Sequence, residues 1–441
     1  MSTPRKSFAS RSESGSLSPR SAASDGAAVA FDESAAEAVS FPPLVPLPGP
    51  LALAQEIPTI GRINSIKYPI KDNLYTPVRC FIGGSDTGEG FTWRHTGPTP
   101  VNYVQTSSAI NNGSQIYCVS WGVGSDNPAQ MGAAYARTSA GGFIYLSFVN
   151  GPGNFSSWGL YTSAVLDMAW RYDNTLIGGA LRHDSYGTFV IWDITGWGVD
   201  HHVHIAADWC TGSAFSPNPW IREVIVCSLD GHLHLLHTIN GQNQNYHPKY
   251  DIDVMAGPLM RCKYHASGDY IYTVSEDGTI VCYWVRTANP PPGVPFPPVI
   301  EIFRHTIGVV RTFDMSIVTV NGHTRVALAT TGGLYVFDQT TLSVISHVQH
   351  PGALPGTLSE PRSVCWSWGG SEIVAGWADD TARVYTHGPW PPLEGTEADA
   401  KAVVAFTKPK GFVELEELAP AAGAAGDGAA GDGADPHRCV D

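Results

Sequence analysis

Between Trp93 and Tyr385 one phrase recurs seven times: an apolar strand, a turn of small residues, then an alternating strand that closes on a bulky residue. The clearest copies carry Arg261-Cys262-Lys263-Tyr264, Tyr270-Ile271-Tyr272-Thr273-Val274 and Thr279-Ile280-Val281-Cys282-Tyr283, or Val165-Leu166-Asp167-Met168-Ala169-Trp170 followed by Thr188-Phe189-Val190-Ile191-Trp192. Aligned on the closing residue, the series is Trp93, Ser147, Trp192, Leu236, Tyr283, Phe337 and Tyr385, in steps of 54, 45, 44, 47, 54 and 48 residues. A sheet built from one such unit has two apolar faces and cannot stand alone in water, so it must stack on its neighbours.

Seven sheets stacked radially leave only short, protected edges. The period therefore predicts an all-β fold, a seven-bladed β-propeller, with the bulky closing residues packed between adjacent blades. The last sheet needs a fourth strand. Ala402-Val403-Val404-Ala405-Phe406-Thr407 begins 17 residues past Tyr385, where other units place theirs, whereas Ile57 to Ile66 would have to reach back from the other end. Spacing favours the C-terminal segment.

Composition sets the limits of the domain. All thirteen Trp and nearly all Tyr and Phe fall in residues 56–407, which reads as the propeller. Residues 1–55 are Ser/Ala/Pro-rich and 408–441 are acidic and Ala/Gly/Asp-rich; neither can bury enough apolar surface to offset its chain entropy, so both are expected to be disordered arms. The net charge of −14 divides into −1 for residues 1–55, −7 for 56–387 and −6 for 388–441. Without a basic stripe, nucleic acid is not expected as the main partner. Eight cysteines include no CxxC pair, and Cys80, Cys118, Cys210, Cys227, Cys262, Cys282 and Cys365 sit in or beside predicted strands, as small buried hydrophobes do. A reduced compartment, cytoplasmic or nuclear, fits this usage better than a secreted disulfide framework.

No apolar run approaches the length of a membrane span. The N-terminus carries Arg5, Lys6, Arg11 and Arg20 among serines but no apolar core of a signal peptide, leaving a transit peptide as the alternative to a plain arm. Cys439 lies third from the end and is no prenylation box. Sequons at Asn112 and Asn154 would matter only in a secreted chain.

Ser275-Glu276-Asp277-Gly278-Thr279-Ile280, Ser228-Leu229-Asp230-Gly231, Val190-Ile191-Trp192-Asp193 and Phe215-Ser216-Pro217 together resemble the WD-repeat family over about 330 residues, most closely in units three to five. Departures are plain: the family's Gly-His dipeptide is not at its usual place before the first strand, and only unit three ends in Trp-Asp. The resemblance implies a rigid platform for other proteins rather than an enzyme.

Chemistry-bearing clusters are few. Asp200-His201-His202-Val203-His204 and His232-Leu233-His234-Leu235-Leu236-His237 alternate, so paired histidines share a strand face. Zinc or copper ligation is conceivable, but the two runs belong to an outer strand and to the third strand of the next blade, and solvated or core-satisfied imidazoles are expected. Ser275-Glu276-Asp277-Gly278 lacks the spacer of a sialidase-type Asp box and suits a tight turn; no nucleophile elbow or P-loop is present. No catalytic residue, metal or cofactor is assigned. Arg261, Arg311 and Arg362 recur at spacings of 50 and 51 near the start of the innermost strands of units five to seven. In the WD-repeat family that location lies near the channel mouth, so these arginines are the candidate protein-binding residues, offering forked donors to acidic or phosphorylated peptides. The alternative is that each pairs with a neighbouring Asp or Glu. Pro290-Pro291-Pro292-Gly293-Val294-Pro295-Phe296-Pro297-Pro298 reads as a stiff loop or a polyproline ligand, and Leu17-Ser18-Pro19-Arg20 as a candidate kinase site.

The sequence thus favours a non-catalytic protein-interaction scaffold. A constitutive subunit of a coat, pore or cytoskeletal assembly is one alternative, and a propeller hydrolase or sugar-binding protein another.

Overall fold

Among the described residues every regular element is a strand, twenty-eight of them, and they form seven four-stranded antiparallel sheets. The computed structural model describes residues 51–69, 80–96, 101–111, 115–122, 132–137, 142–148, 156–161, 164–173, 175–183, 186–193, 198–218, 222–238, 246–285, 299–309, 311–349, 360–367 and 369–387. All lie in one compact unit. Blades one to six are each built from four consecutive strands in chain order. Their innermost strands are Ile63–Lys67, Ile116–Trp121, Val165–Trp170, Cys210–Phe215, Leu259–Tyr264 and Thr312–Val320, and Pro361–Trp366 is that of blade seven.

The residues that marked the period occupy one rung of this architecture. Trp93, Ser147, Trp192, Leu236, Tyr283, Phe337 and Tyr385 pair with Phe81, Ala133, Ile177, Val224, Ile271, Val326 and Ile373 on the second strands. Each described closing side chain faces the preceding blade. Trp192 clusters with Cys118 of blade two, Tyr283 with Ile225 and Leu235 of blade four, and Trp93 with Val374 and Val384 of blade seven. The core is therefore a set of apolar layers between neighbouring sheets, as the radial stack requires. An indole at this rung needs room on the second strand. A Cβ at Gly179 would come within 2.5 Å of the Trp192 ring, and one at Gly83 within 2.8 Å of the Trp93 ring.

Blade seven closes differently from the expectation based on spacing. Its fourth strand is Ala52–Pro58, antiparallel to Thr381–Thr386, with Leu53 opposite Tyr385 and Ile57 opposite Ala382. The preference for 402–407 is corrected accordingly; those residues lie outside the described ones, and Ile63–Lys67 belongs to blade one instead. The closing strand also reaches into the segment 1–55 that was assigned to the N-terminal arm. Only Ile57 of this strand is buried, so hydrophobic patterning advertises it poorly. Polar ties hold it: Gln55 exchanges two hydrogen bonds with the Tyr103 backbone, at 2.9 and 2.7 Å, and Glu56 takes Arg383 Nε at 2.8 Å. Across the same seam, buried Glu372 of blade seven accepts hydrogen bonds from the hydroxyls of Tyr103 (2.7 Å) and Tyr68 (3.2 Å) of blade one.

A second regularity was invisible in the sequence. All seven innermost strands carry a bulge at their first rung, between Ile63/Ser65, Ile116/Cys118, Val165/Asp167, Cys210/Gly212, Leu259/Arg261, Thr312/Asp314 and Pro361/Ser363. A bulge leaves one residue unpaired and re-aims its neighbours. Here it sorts side chains between the channel and the rim where these strands begin, the upper rim.

Candidate docking rim and the channel beneath it

Each innermost strand has a free edge along the channel, and unpaired backbone N–H groups there must find acceptors. In three blades the residue after the bulge supplies one to the next blade. Ser65 Oγ accepts the Val119 N–H at 3.1 Å, Asp167 Oδ2 the Ser213 N–H at 2.9 Å, and Asp314 Oδ2 the Val364 N–H at 3.2 Å. Two residues further along the strand, Ser316 Oγ takes the Trp366 N–H at 3.0 Å.

Asp314 is the hub of this ring. Its Oδ1 also accepts the Met315 N–H (2.9 Å) and Arg261 Nε (3.2 Å), while Oδ2 meets Lys67 Nζ at 2.8 Å. Lys67 thus reaches past blade seven from blade one to blade six. Only 3% of the Asp314 side chain is exposed. Burial pushes its carboxyl up, but the cations of Lys67 and Arg261 outweigh that and hold it below the usual carboxylate range. A second pair, Lys263 Nζ to Asp167 Oδ2 at 3.6 Å, lies in the same channel.

These contacts decide the fate of the three candidate arginines. Arg261 belongs to the channel: besides Asp314, its Nη1 donates to the carbonyls of Thr211 and Met260, both at 2.7 Å. It is not grouped with Arg311 and Arg362. Those two do come together, on opposite sides of a blade boundary, over one ring: the guanidinium carbons of Arg362 and Arg311 lie 4.2 and 5.6 Å from the Phe313 centroid. Each of the three also has an acidic neighbour, as the alternative reading anticipated. Arg311 Nε is 3.4 Å from Glu276, and Arg362 pairs with Glu360. Arg311 is 54% exposed, so its pair is a weak surface contact. Burial, then the neighbouring cations Arg62 and Arg311, lower the Arg362 guanidinium against the pull of Glu360. Arg62, which sequence reasoning missed, is thus a third cation at this part of the rim, 3.2 Å from Asp86.

The reason lies in register. The bulge rung steps from Leu259 to Thr312 to Pro361, so the equivalents of Arg261 are Asp314 and Ser363. Spacings of 50 and 51 therefore slide off the repeat. Arg311 falls just before its strand and Arg362 on the bulged residue itself, both at the rim.

The histidine runs separate as expected, into Gly198–Ala206, the outermost strand of blade three, and His232–Thr238, the third strand of blade four. His204 Nδ1 is hydrogen-bonded to Thr188 Oγ1 at 2.9 Å. His232 and His234 present Nδ1 to Asp251 Oδ1 at 2.7 and 3.4 Å, with their rings stacked. Burial lowers the His234 imidazole despite Asp251, whereas His232, less buried, is raised by that carboxylate. Among the described residues no group of three His, Cys, Asp or Glu is arranged to hold a metal ion, and no helix is long and apolar enough to cross a membrane. The Ser-x-Asp-Gly segments are tight turns. Asp230 accepts from the Ser228 hydroxyl and from the N–H groups of His232 (3.0 Å) and Ala207 (2.8 Å), with Gly231 at φ 89°. Asp277 does the same with Ser275 and the Thr279 N–H (3.0 Å), with Gly278 at φ 79°. The proline-rich segment 290–298, Ser18, Cys439, and the sequons at Asn112 and Asn154 lie outside the described residues.

No protein-family model and no curated protein matches the sequence. Among solved structures the fold is that of the WD40 β-propeller: the crystal structure of the WD40 propeller domain of Doa1 superposes with a TM-score of 0.58 at 9% identity, over 77% of this chain and 97% of that one.

Proposed function

We propose that this chain is a non-catalytic docking platform whose upper rim, at blades six, seven and one, captures acidic or phosphorylated peptides of other proteins. The WD40 fold supports protein interaction in general. The observation that carries the finer reading is the Arg311–Phe313–Arg362 stack, which fixes two guanidinium planes over one ring at the rim. A stacked guanidinium keeps its forked donors free at the edge, pre-organised for a carboxylate or phosphate. Arg311 is the group to be exchanged, since its exposed pair with Glu276 is easily displaced. Asp314, Asp230 and Glu372, by contrast, each serve several internal donors. The seven described cysteines are all free thiols, which supports a reduced, intracellular setting.

Fluorescence anisotropy with labelled Glu-rich and phosphoserine peptides tests this. Arg311→Glu is expected to weaken capture by roughly tenfold, in the range of a lost charge-assisted contact, with an unchanged melting temperature. Arg311→Glu with Arg362→Gln is expected to abolish it. Equal binding by the wild type and both variants removes the reading.

A further inference from the structure

The loop 254–258, between the outermost strand of blade four and the innermost strand of blade five, holds a methionine in a conformation that side chains avoid. Met255 has φ 50°, the left-handed region, and is 82% exposed. Among the described residues the other non-glycine positions of this kind are Asn321, Asp380 and Leu342. Asn and Asp tolerate the conformation; Leu342, on the opposite rim, is less exposed and flanked by threonines and a serine. Nothing at Met255 is slack. Asp253 Oδ1 accepts the Met255 N–H at 2.9 Å, and Val254 N–H donates to the Gly231 carbonyl at 3.1 Å. Arg304 Nη2 donates to the Val254 carbonyl at 2.7 Å and Nη1 to that of Met255 at 3.4 Å, with Arg304 itself held twice by Glu301. The scaffold forces an apolar side chain outward and locks the backbone beneath it.

Strain maintained by several independent contacts points to use rather than accident. A rigid, protruding thioether is suited to enter a partner's apolar surface, since its ordering cost is already met before binding. The charge around it selects the partner. Asp253, the last residue of the strand leading into the loop, is exposed, and Asp251, two residues earlier, is 60% exposed. Glu276 is fixed next to the loop by its N–H to the Pro258 carbonyl (2.8 Å), and Asp277 follows it, exposed. The nearby cation Arg304 is neutralised by Glu301.

We propose that Met255 is the apolar anchor of a second docking point, on blades four and five, for a basic amphipathic segment of a partner protein. Met255 enters the apolar face of that segment while Asp251, Asp253 and Asp277 face its basic residues. This site adjoins the arginine-bearing part of the rim, where Glu276 pairs with Arg311, and carries the opposite charge.

Methionine-methyl NMR of the full chain tests it, because the protein has only six methionines and Met255 reports on itself. The probe is a short synthetic Lys/Leu amphipathic peptide; the control is its Glu/Leu counterpart. A saturable shift of the Met255 methyl with the Lys/Leu peptide is expected, weakened by salt and at least roughly tenfold weaker with the Glu/Leu control. Met255→Gly and Met255→Asn, both suited to a left-handed backbone, are expected to lose the binding without a lower melting temperature. An unmoved Met255 resonance, equal response to both peptides, or undiminished binding by the two variants overturns the proposal.

Discussion

Replacing Asp314 by alanine tests the central feature of the structure, a ring of blades tied together across its channel. The substitution removes an acceptor shared by four donors: Lys67, Arg261 and the N–H groups of Met315 and Val364. Losing one member of a buried ion pair typically costs about 3–5 kcal/mol, because the opposite charge stays behind uncompensated. The orphaned backbone groups add less than their full desolvation cost. Lys67 and Arg261 side chains are 16% and 17% exposed, so water can follow into the channel. About 4 kcal/mol is the working figure. For a propeller of roughly 340 residues, at about 2.1 cal/mol/K each, the unfolding entropy is ~0.7 kcal/mol/K, and the melting temperature should fall by roughly 4–7 °C. Thermal and urea unfolding followed by circular dichroism measure both quantities. The compensated variant Asp314→Leu with Lys67→Met and Arg261→Met should recover most of the loss, since apolar groups of similar volume can replace a buried ion cluster. A drop below about 1 kcal/mol for Asp314→Ala, within the range of ordinary surface changes, would refute the idea that this carboxylate holds four blades.

Two further outcomes follow from the same structure. Trp192→Ala should cost about 3–5 kcal/mol by urea unfolding, because the ring is fully buried between blades two and three and lies over Gly179, with nothing positioned to refill the space; a loss near that of a surface residue would contradict the packing described. Burial lowers the His265 imidazole, which Asp269 only partly offsets, and its Nε2 and Nδ1 face the hydroxyls of Thr319, Thr324 and Ser267 and the rings of Tyr270 and Tyr272. A depressed histidine binds fewer protons folded than unfolded, so its contribution is present above the unfolded value near 6.5 and fades as the pH falls through it. The melting temperature is expected to decline between about pH 7 and pH 5.5, and less steeply in His265→Asn; identical slopes for the two proteins would reject the assignment.

The period of the fold was legible because one rung, that of Trp93, Trp192, Tyr283 and Tyr385, must be bulky in order to fill the space between sheets, and this demand recurs in sequence. The Ser-x-Asp-Gly turns were legible for a local reason: serine, carboxylate and left-handed glycine act within four residues. What escaped was non-local or out of register. Asp314 gathers partners from positions 67, 261 and 364, and no window of sequence contains two of them. The closing strand Ala52–Pro58 is held by its ladder and by polar ties to Tyr103, Asp380 and Arg383 rather than by an apolar stripe, so nothing in its pattern stood against the regular spacing that favoured 402–407. The arginines were misaligned because their near-constant spacing ignores blades of unequal length.

That bulge also explains where recognition can evolve in this protein. A side chain just after it is committed: Ser65, Asp167 and Asp314 each accept a backbone N–H of the next blade, and changing any of them leaves a free sheet edge unsatisfied. Arg261, in the same position, is committed by its partners Asp314 and Thr211. The bulged residues Phe313 and Arg362 have no ladder partner, and Arg311 precedes its strand, so these three side chains are free to vary with a partner. The same holds for the loops leading into the innermost strands, where Met255 sits. Arg261→Glu should therefore destabilise the fold as Asp314→Ala does, while Arg311→Glu should leave the melting temperature unchanged and alter binding. Unfolding curves of these two variants, matched by spacing but three positions apart in register and opposite in role, separate scaffold from surface; if both lose stability equally, the bulge does not divide the two functions.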